Sequence, residues 1–358
     1  MLNHLKNRIL ESPLKMITYA EYIEEALYHP TMGYYMKEKE KVGRFGDFIT
    51  TSNISDIYGR AIASWFAKLV KNTGIPPVVC EIGGGTGRFA KAFIDEWKQI
   101  SSEEIQYFLL EESPYHRKIQ HNNIEFDEQI RQISTLEELK TFKGFIFSNE
   151  LFDALPVHVI ERKNDQIFEV MVALEGETLV EKLIPLANEN IFSFLMKNDF
   201  SLNNNQRIEI PLSMIEMIKR IGNVLDNGII TTVDYGYTNK EWMEPVHKGG
   251  SLRGYYKHQQ INNVLKYPGE MDITSHVHFD SLVRVGEENG LSFYKKLRQD
   301  QFFLSIGLLE QLTEHEDPNP FSEVGKRNRA IRSLIMPSGM SASFHVIIQY
   351  KGIHANLL

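Results

Sequence analysis

The sequence predicts an α/β fold: a mostly parallel sheet with helices on both faces. Three observations carry this. Short apolar runs alternate with amphipathic helical stretches along most of the chain, the pattern that builds parallel sheets. The segment VVCEIGGGTGRFAKAF, residues 78–93, reads as a buried strand that ends in glycines and opens a helix. A second strand, IQYFLLEE, ends in two acids roughly one helix later.

Taken in order, residues 1–30 read as helices, with Tyr19, Tyr22, Ile23 and Ala26 on one face of TYAEYIEEALYHP. Residues 31–55 are glycine-punctuated and read as a long ordered loop. Residues 57–71 are apolar at helical spacing around Trp65. The strand PPVVCEIGG leads into a helix at 87–98. After IQYFLLEE, Ser113 is placed to cap a helix and Pro114 to occupy its first position. GFIFSNELFDALPVHVI is a further strand that runs into a polar loop. Residues 157–184 alternate like antiparallel strands, and PLSMIEMIKRIGNVLDNG reads as a helix closed by Gly228. IITTVDYGY is a buried strand, and a polar excursion follows over 236–277. Helix 278–289, strand 291–298, helices within 300–333 and the closing strand ASFHVIIQYK complete the chain. The expected division is an N-terminal helical region with a lid loop, 1–75, and a main domain, 76–358, with insertions at 157–184 and 236–277.

Composition narrows the function classes. The 358 residues carry a net charge of −8, which disfavours a phosphate-tracking surface and so nucleic acid as a partner. The single cysteine, Cys80, lies in an apolar run and reads as buried and inert; no disulfide framework is available. No segment approaches the run of about 20 apolar residues that a membrane span needs. The mixed, charged N-terminus lacks a secretory core and a transit pattern, so a cytoplasmic location is expected.

A glycine turn after a strand lets a ligand touch backbone atoms in the crevice beyond the sheet's carboxyl edge. A dinucleotide fingerprint would read G-x-G-x-x-G, but Arg88 occupies its third place. The glycines run Gly83, Gly85, Gly87, preceded by Glu81. That spacing suits a ligand without phosphate, adenosine joined to a zwitterionic amino acid, as in S-adenosyl-L-methionine. Glu81 could meet the ligand's ammonium group, and Glu111 could accept from the ribose hydroxyls, with Glu112 as the next candidate. A glycine turn shaped only by helix packing is the alternative.

With these blocks in place, the chain resembles the MidA-like class I methyltransferases, which include mitochondrial complex I assembly proteins described as protein arginine methyltransferases. The resemblance runs over nearly the whole chain, through GYYMKEKEKVGRFGDFITTSNIS, EIGGGTG, LLEESP, SNELFDALPVHVI, VDYGY, GSLRGYYKHQ, PGEMDITSHVHF and FFLSIGL. It implies a Rossmann-like seven-stranded class I methyltransferase sheet with added N-terminal helices and a long insertion. It implies S-adenosyl-L-methionine as cofactor and a protein arginine, or a similar nitrogen or oxygen nucleophile, as acceptor. It favours GRFGDFITTS as a lid over the cofactor, with Gly46, Asp47 and Thr50 in contact and Asn149 nearby; a structural turn is the alternative. Where the family reads TAPEIS, this chain reads TTSNIS, with Asn53 in place of the acid.

In SNELFDALPVH, three side chains are candidates for catalysis. A guanidinium acceptor stays cationic and needs carboxylates to clamp and polarise it, which points to Glu150 and Asp153. His158 could take a proton; a satisfied core histidine is the alternative. His276 and His278 in DITSHVHF share a face without an evident third ligand, so no metal is expected and pocket lining or helix entry is the reading. Arg253, Tyr255 and His258 could serve an acceptor's backbone or a homodimer contact, and both stay open. The other function classes are a cofactor-binding assembly factor with little catalysis, a small-molecule O-methyltransferase, and an NAD-dependent dehydrogenase, the last disfavoured by the missing third glycine.

Overall fold

The computed structural model describes residues 1–39, 41, 56–314, 319, 322–337, 340–353 and 356–358. Gly46, Asp47, Thr50 and Asn53 therefore lie outside the described residues. The chain divides into two compact units. One comprises 1–48, 152–219 and 236–285, and the other 49–151, 220–235 and 286–358. This grouping differs from a division at residue 75. The first helices bury their apolar faces with residues from 157–179 and 252–273, so three distant segments share one core.

The second unit holds the expected seven-stranded sheet. Its strands are β1 (Val78–Ile82), β2 (Gln106–Leu110), β3 (Ile130–Ile133), β4 (Phe142–Asn149), β5 (Leu225–Asp234), β6 (Ser292–Arg298) and β7 (His345–Lys351). The order is β6–β7–β5–β4–β1–β2–β3. Strands β3, β2, β1, β4 and β5 pair in parallel, and β7 is antiparallel to both β5 and β6. The strand order reverses at β1 and β4, the topological switch where open α/β sheets bind ligands. Apolar runs such as Phe145, Ile146 and Phe147 are wholly buried, as strands covered on both faces must be. Helix Ile57–Thr73 sets Phe66 against Phe93, Trp97 and Phe145, with ring centroids 5.2–5.8 Å apart. Cys80 is free and buried, its thiol pushed far up by desolvation and then by Glu81.

Several details depart from the sequence reading, among them a strand at Met16–Thr18 within residues expected as helices. Gly228 does not close a helix: the helix Leu212–Val224 passes directly into β5, and Gly228 sits within that strand. A Cβ there would fall 1.9 Å from the carbonyl oxygen of Gly144 in β4, so close pairing of two strands explains that glycine. Strand β3 and a helix at Glu189–Lys197 were also unread, both too short or too polar to stand out locally.

The first unit is built on an antiparallel sheet. Gln166–Glu175 pairs with Met16–Thr18, His158–Lys163 and Thr178–Pro185, and His158–Lys163 also pairs with Arg207–Ile210. Helix Tyr19–Tyr28 is fixed by a capping box in which Thr18 and Glu21 exchange hydrogen bonds. Tyr19, Tyr22, Ile23 and Ala26 are all buried, as their spacing predicts. The 236–277 excursion folds in part as a small sheet of Arg253–Tyr256, Gln259–Ile261 and Asp272–Thr274. Among the described residues, no helix is long and apolar enough to cross a membrane.

Candidate functional site

The turn after β1 is a left-handed path: φ is 76° at Gly83, 50° at Gly85 and 77° at Gly87. The glycines answer different demands. A Cβ on Gly85 would meet nothing within 4 Å, so this position faces open space. A Cβ on Gly87 would lie 2.9 Å from Ile124 Cδ1 and 3.0 Å from Gln120 Cγ. Helix packing, then, is what excludes a side chain at Gly87, while Gly85 leaves room for a ligand to approach backbone. Gly83 is anchored through its N–H to the Leu110 carbonyl, 2.8 Å, at the end of β2.

Two acids flank the turn. Glu81 is 5% exposed, and its Oε2 accepts from the Tyr107 hydroxyl at 2.8 Å. Burial pushes its carboxyl up to about 8; the Tyr107 bond opposes this and Glu111 adds to it. Glu81 therefore holds a proton over most of the neutral range and is a structural acid until a cation approaches it. Glu111 follows β2 and is nearly buried. Its Oε2 accepts from Gly85 N–H and its Oε1 from Ser113 N–H, both 2.8 Å. Ser113 in turn caps the helix Pro114–Asn123 by accepting from His116 N–H, with Pro114 at the first turn as expected. One carboxylate thus ties the glycine turn to the start of the next helix. Burial and the neighbouring Glu111 raise Glu112 as well.

At the end of β4, Asn149 and Glu150 form a chain that the sequence did not reveal. The hydroxyl of Tyr58, on helix Ile57–Thr73, donates to Asn149 Oδ1 at 3.0 Å. Asn149 Nδ2 donates to Glu150 Oε1 at 3.1 Å. Burial, and then Glu150, hold the Tyr58 phenol well above its ordinary range, so it stays a donor. Glu150 has φ of 51°, a sterically costly region for a residue with a side chain, and its N–H donates to Val233 O in β5 at 2.9 Å. In this unit the glycine turn, Glu111 and Glu150 follow β1, β2 and β4, so all three stand at the carboxyl ends of adjacent strands. An open backbone turn with a strand-end carboxylate still able to accept further bonds fits an adenosine-type ligand.

The chain leaves this unit between Leu151 and Phe152. Asp153 and His158 belong to the other one. Asp153 is buried, and its carbonyl accepts from Ser275 N–H at 2.9 Å. His158 is the first residue of its strand, with Nδ1 2.7 Å from Glu169 Oε1 on the paired strand. That contact assigns the N–H to Nδ1 and leaves Nε2 as the basic nitrogen. Glu169 was missed because its link to His158 crosses a strand pair.

The two histidines of DITSHVHF pack within the first unit. His278 is wholly buried, stacked on Trp242 at 4.3 Å, with Nε2 on the Glu209 carbonyl at 2.8 Å. Burial lowers it to about 3, so it is neutral, and pocket lining is corrected to core packing before the helix Phe279–Glu288. His276 stacks on Tyr237 at 4.4 Å, and burial, then His247, lower it to about 4. Arg253 donates to the carbonyls of Leu252 and Gly250, and Lys257–His258 form the turn between two short strands, each with positive φ. A separate group, His4, Glu25 and His29, brings possible ligand atoms within 4.8 Å of one another. Its carboxylate is already shared by His4 at 2.8 Å and Arg8 at 2.7 Å, and His29 Nδ1 accepts from Thr31 and Met32 N–H.

Comparison with known proteins agrees with this geometry. Residues 61–296 match a family model described as S-adenosyl-L-methionine-dependent methyltransferase. A protein arginine methyltransferase NDUFAF7, mitochondrial, from Xenopus tropicalis is 25% identical over 339 residues, covering 86% of this chain and 75% of the relative. The Rattus norvegicus protein of that name is 26% identical, covering 99% of this chain and 85% of the relative. A Burkholderia thailandensis crystal structure of a COG1565 superfamily member bound to S-adenosyl-homocysteine superposes with a TM-score of 0.90 at 25% identity, covering 99% of this chain and 92% of that one. The expected cytoplasmic location is corrected by these relatives, whose names place them in mitochondria.

Proposed function

We propose that this chain, which belongs to the S-adenosyl-L-methionine-dependent methyltransferases, transfers the methyl group to an arginine side chain of a protein. The cofactor supplies an electrophilic methyl group carried on a sulfonium. In this reading the turn Gly83–Gly87 offers backbone to it, and Glu111 accepts from its ribose hydroxyls while keeping Gly85 in place. Gly46, Asp47, Thr50 and Asn149 remain proposed cofactor contacts, and Glu81 a proposed partner for the ammonium group.

The observation that carries the acceptor assignment is Glu150. Its carboxylate is aimed by the Tyr58–Asn149 chain, and its backbone is held at φ of 51° with its N–H bonded to Val233 O of β5. A carboxylate fixed in this way suits a guanidinium, which needs a rigid, planar, charge-assisted clamp. Asp153 is proposed as a second carboxylate for the acceptor. His158, in the other unit, remains the proton acceptor proposed from its residue type, with Glu169 on its Nδ1. The relatives' names point the same way.

The test is transfer of isotope-labelled methyl from S-adenosyl-L-methionine to a cell extract, followed by mass spectrometry of digested protein. Label on arginine nitrogen supports the proposal. Label confined to small molecules or to oxygen would replace it with an O-methyltransferase, and no label beside tight S-adenosyl-homocysteine binding would leave an assembly factor.

A further inference from the structure

The glycine turn is held from a direction that its own sequence does not announce. Both peptides that flank Gly85 are held. Its N–H donates to Glu111 Oε2, and its carbonyl accepts from Gln120 Nε2, each at 2.8 Å. Gln120 is 0% exposed and lies on the helix Pro114–Asn123, which follows β2 and not β1. Its own oxygen accepts from Gln132 Nε2 at 2.7 Å, and Gln132 Nε2 also donates to the Arg117 carbonyl at 2.9 Å. One turn further on, Asn123 Nδ2 donates to the Thr86 carbonyl at 2.8 Å. Two consecutive carbonyls of the turn are therefore drawn toward one helix.

Glycine is the residue whose flanking peptides rotate most freely, so a turn rich in it has several low-energy arrangements. A donor on one side of Gly85 and an acceptor on the other select one of them. We propose that Gln120, seconded by Gln132 and Asn123, is a positioning residue for the cofactor: it holds Gly85 in the orientation that presents the turn's backbone to the ligand, without touching the ligand itself. Without that bond the free protein would populate rotated turns, and binding would have to draw from the smaller competent fraction. Affinity falls under that condition, while turnover at saturating cofactor does not.

The inference rests on the glycine turn being the cofactor's seat, so the experiment separates the two. S-adenosyl-homocysteine binding is measured by calorimetry for Gln120→Leu, Gln132→Leu, Asn123→Ala and Gly85→Val, alongside thermal unfolding of each. Gln120→Leu should bind roughly five- to tenfold more weakly, the worth of one ordinary hydrogen bond. Asn123→Ala, at a half-buried position, should lose roughly two- to fivefold, and it carries the test if Gln120→Leu does not fold. Gln132→Leu should lose less than Gln120→Leu, because it only steadies the Gln120 amide. Once a methyl acceptor is identified, the Gln120→Leu change should raise KM for the cofactor and leave kcat in place. Folded Gln120→Leu within twofold of the parent affinity overturns the proposal, as does an equal loss in Gln132→Leu, which would mean general loosening of the helix. Unchanged binding in Gly85→Val would instead remove the seat itself.

Discussion

Replacing Glu150 by glycine should separate what its backbone costs from what its side chain does. At φ of 51° an L residue carries roughly 1–2 kcal/mol of steric cost, which glycine does not. Glycine gives back roughly 0.5–1 kcal/mol through the greater freedom of its unfolded chain. Glu150→Ala keeps the Cβ and the strain but loses the same carboxylate, so it is the proper reference. The difference between the two variants should therefore be about 0.5–1 kcal/mol in favour of glycine, or on the order of 2 °C in unfolding temperature. Both variants lose the carboxylate that accepts from Asn149 and is proposed to clamp the acceptor. Losing a charge-assisted contact of about 1.5–3 kcal/mol should slow methyl transfer by roughly 10- to 150-fold. Circular dichroism melts and labelled methyl transfer give the two readouts. Glu150→Ala as stable as Glu150→Gly would refute the strain argument. Undiminished transfer by Glu150→Gln, which keeps size but not charge, would refute the clamp.

Three further outcomes follow from the same geometry. Gly87→Ala should lose the more stability, because its Cβ would press on Ile124 and Gln120 in addition to the cost of its positive φ; Gly85→Ala carries only the cost of its positive φ but should also lose S-adenosyl-homocysteine affinity, and denaturation beside calorimetry reads both. Glu81 has its carboxyl raised from 4.5 to about 8 in the folded state, so the folded protein binds the extra proton between those values. Its contribution to stability is whole below about pH 4.5 and is lost as pH rises to about 8, with a slope of at most about 1.4 kcal/mol per pH unit. Denaturation of Glu81→Gln over pH 5–9 should be flatter than that of the parent, and parallel curves would place the proton elsewhere. His158→Asn should reduce transfer, and Glu169→Gln, which keeps the hydrogen bond to Nδ1, should reduce it less; undiminished transfer by His158→Asn would leave the pair as ordinary strand packing.

The local grammar of the chain was enough for most of the sheet and for its glycine turn. Strand periods, the Ser113 cap with Pro114 behind it, and glycines after a buried strand are each decided by residues a few positions apart, where backbone geometry and short-range hydrogen bonds set the outcome. Glu111 was legible for the same reason, since it closes the strand after the turn. What the sequence could not decide was which distant side chain answers each of these. Gly87 looked like Gly85 until packing put Ile124 and Gln120 against it. Gly228 looked like a helix stop until β5 was laid on the Gly144 carbonyl. His158 acquired Glu169, and Glu150 acquired Tyr58 through Asn149, only across paired strands or from a separate helix. His278, read as pocket lining or helix entry, became core once Trp242 covered it. Local pattern fixes the conformation of a segment. The partner of a buried polar group is set by the closure of segments tens or hundreds of residues apart, where desolvation makes each hydrogen bond obligatory and packing chooses who supplies it.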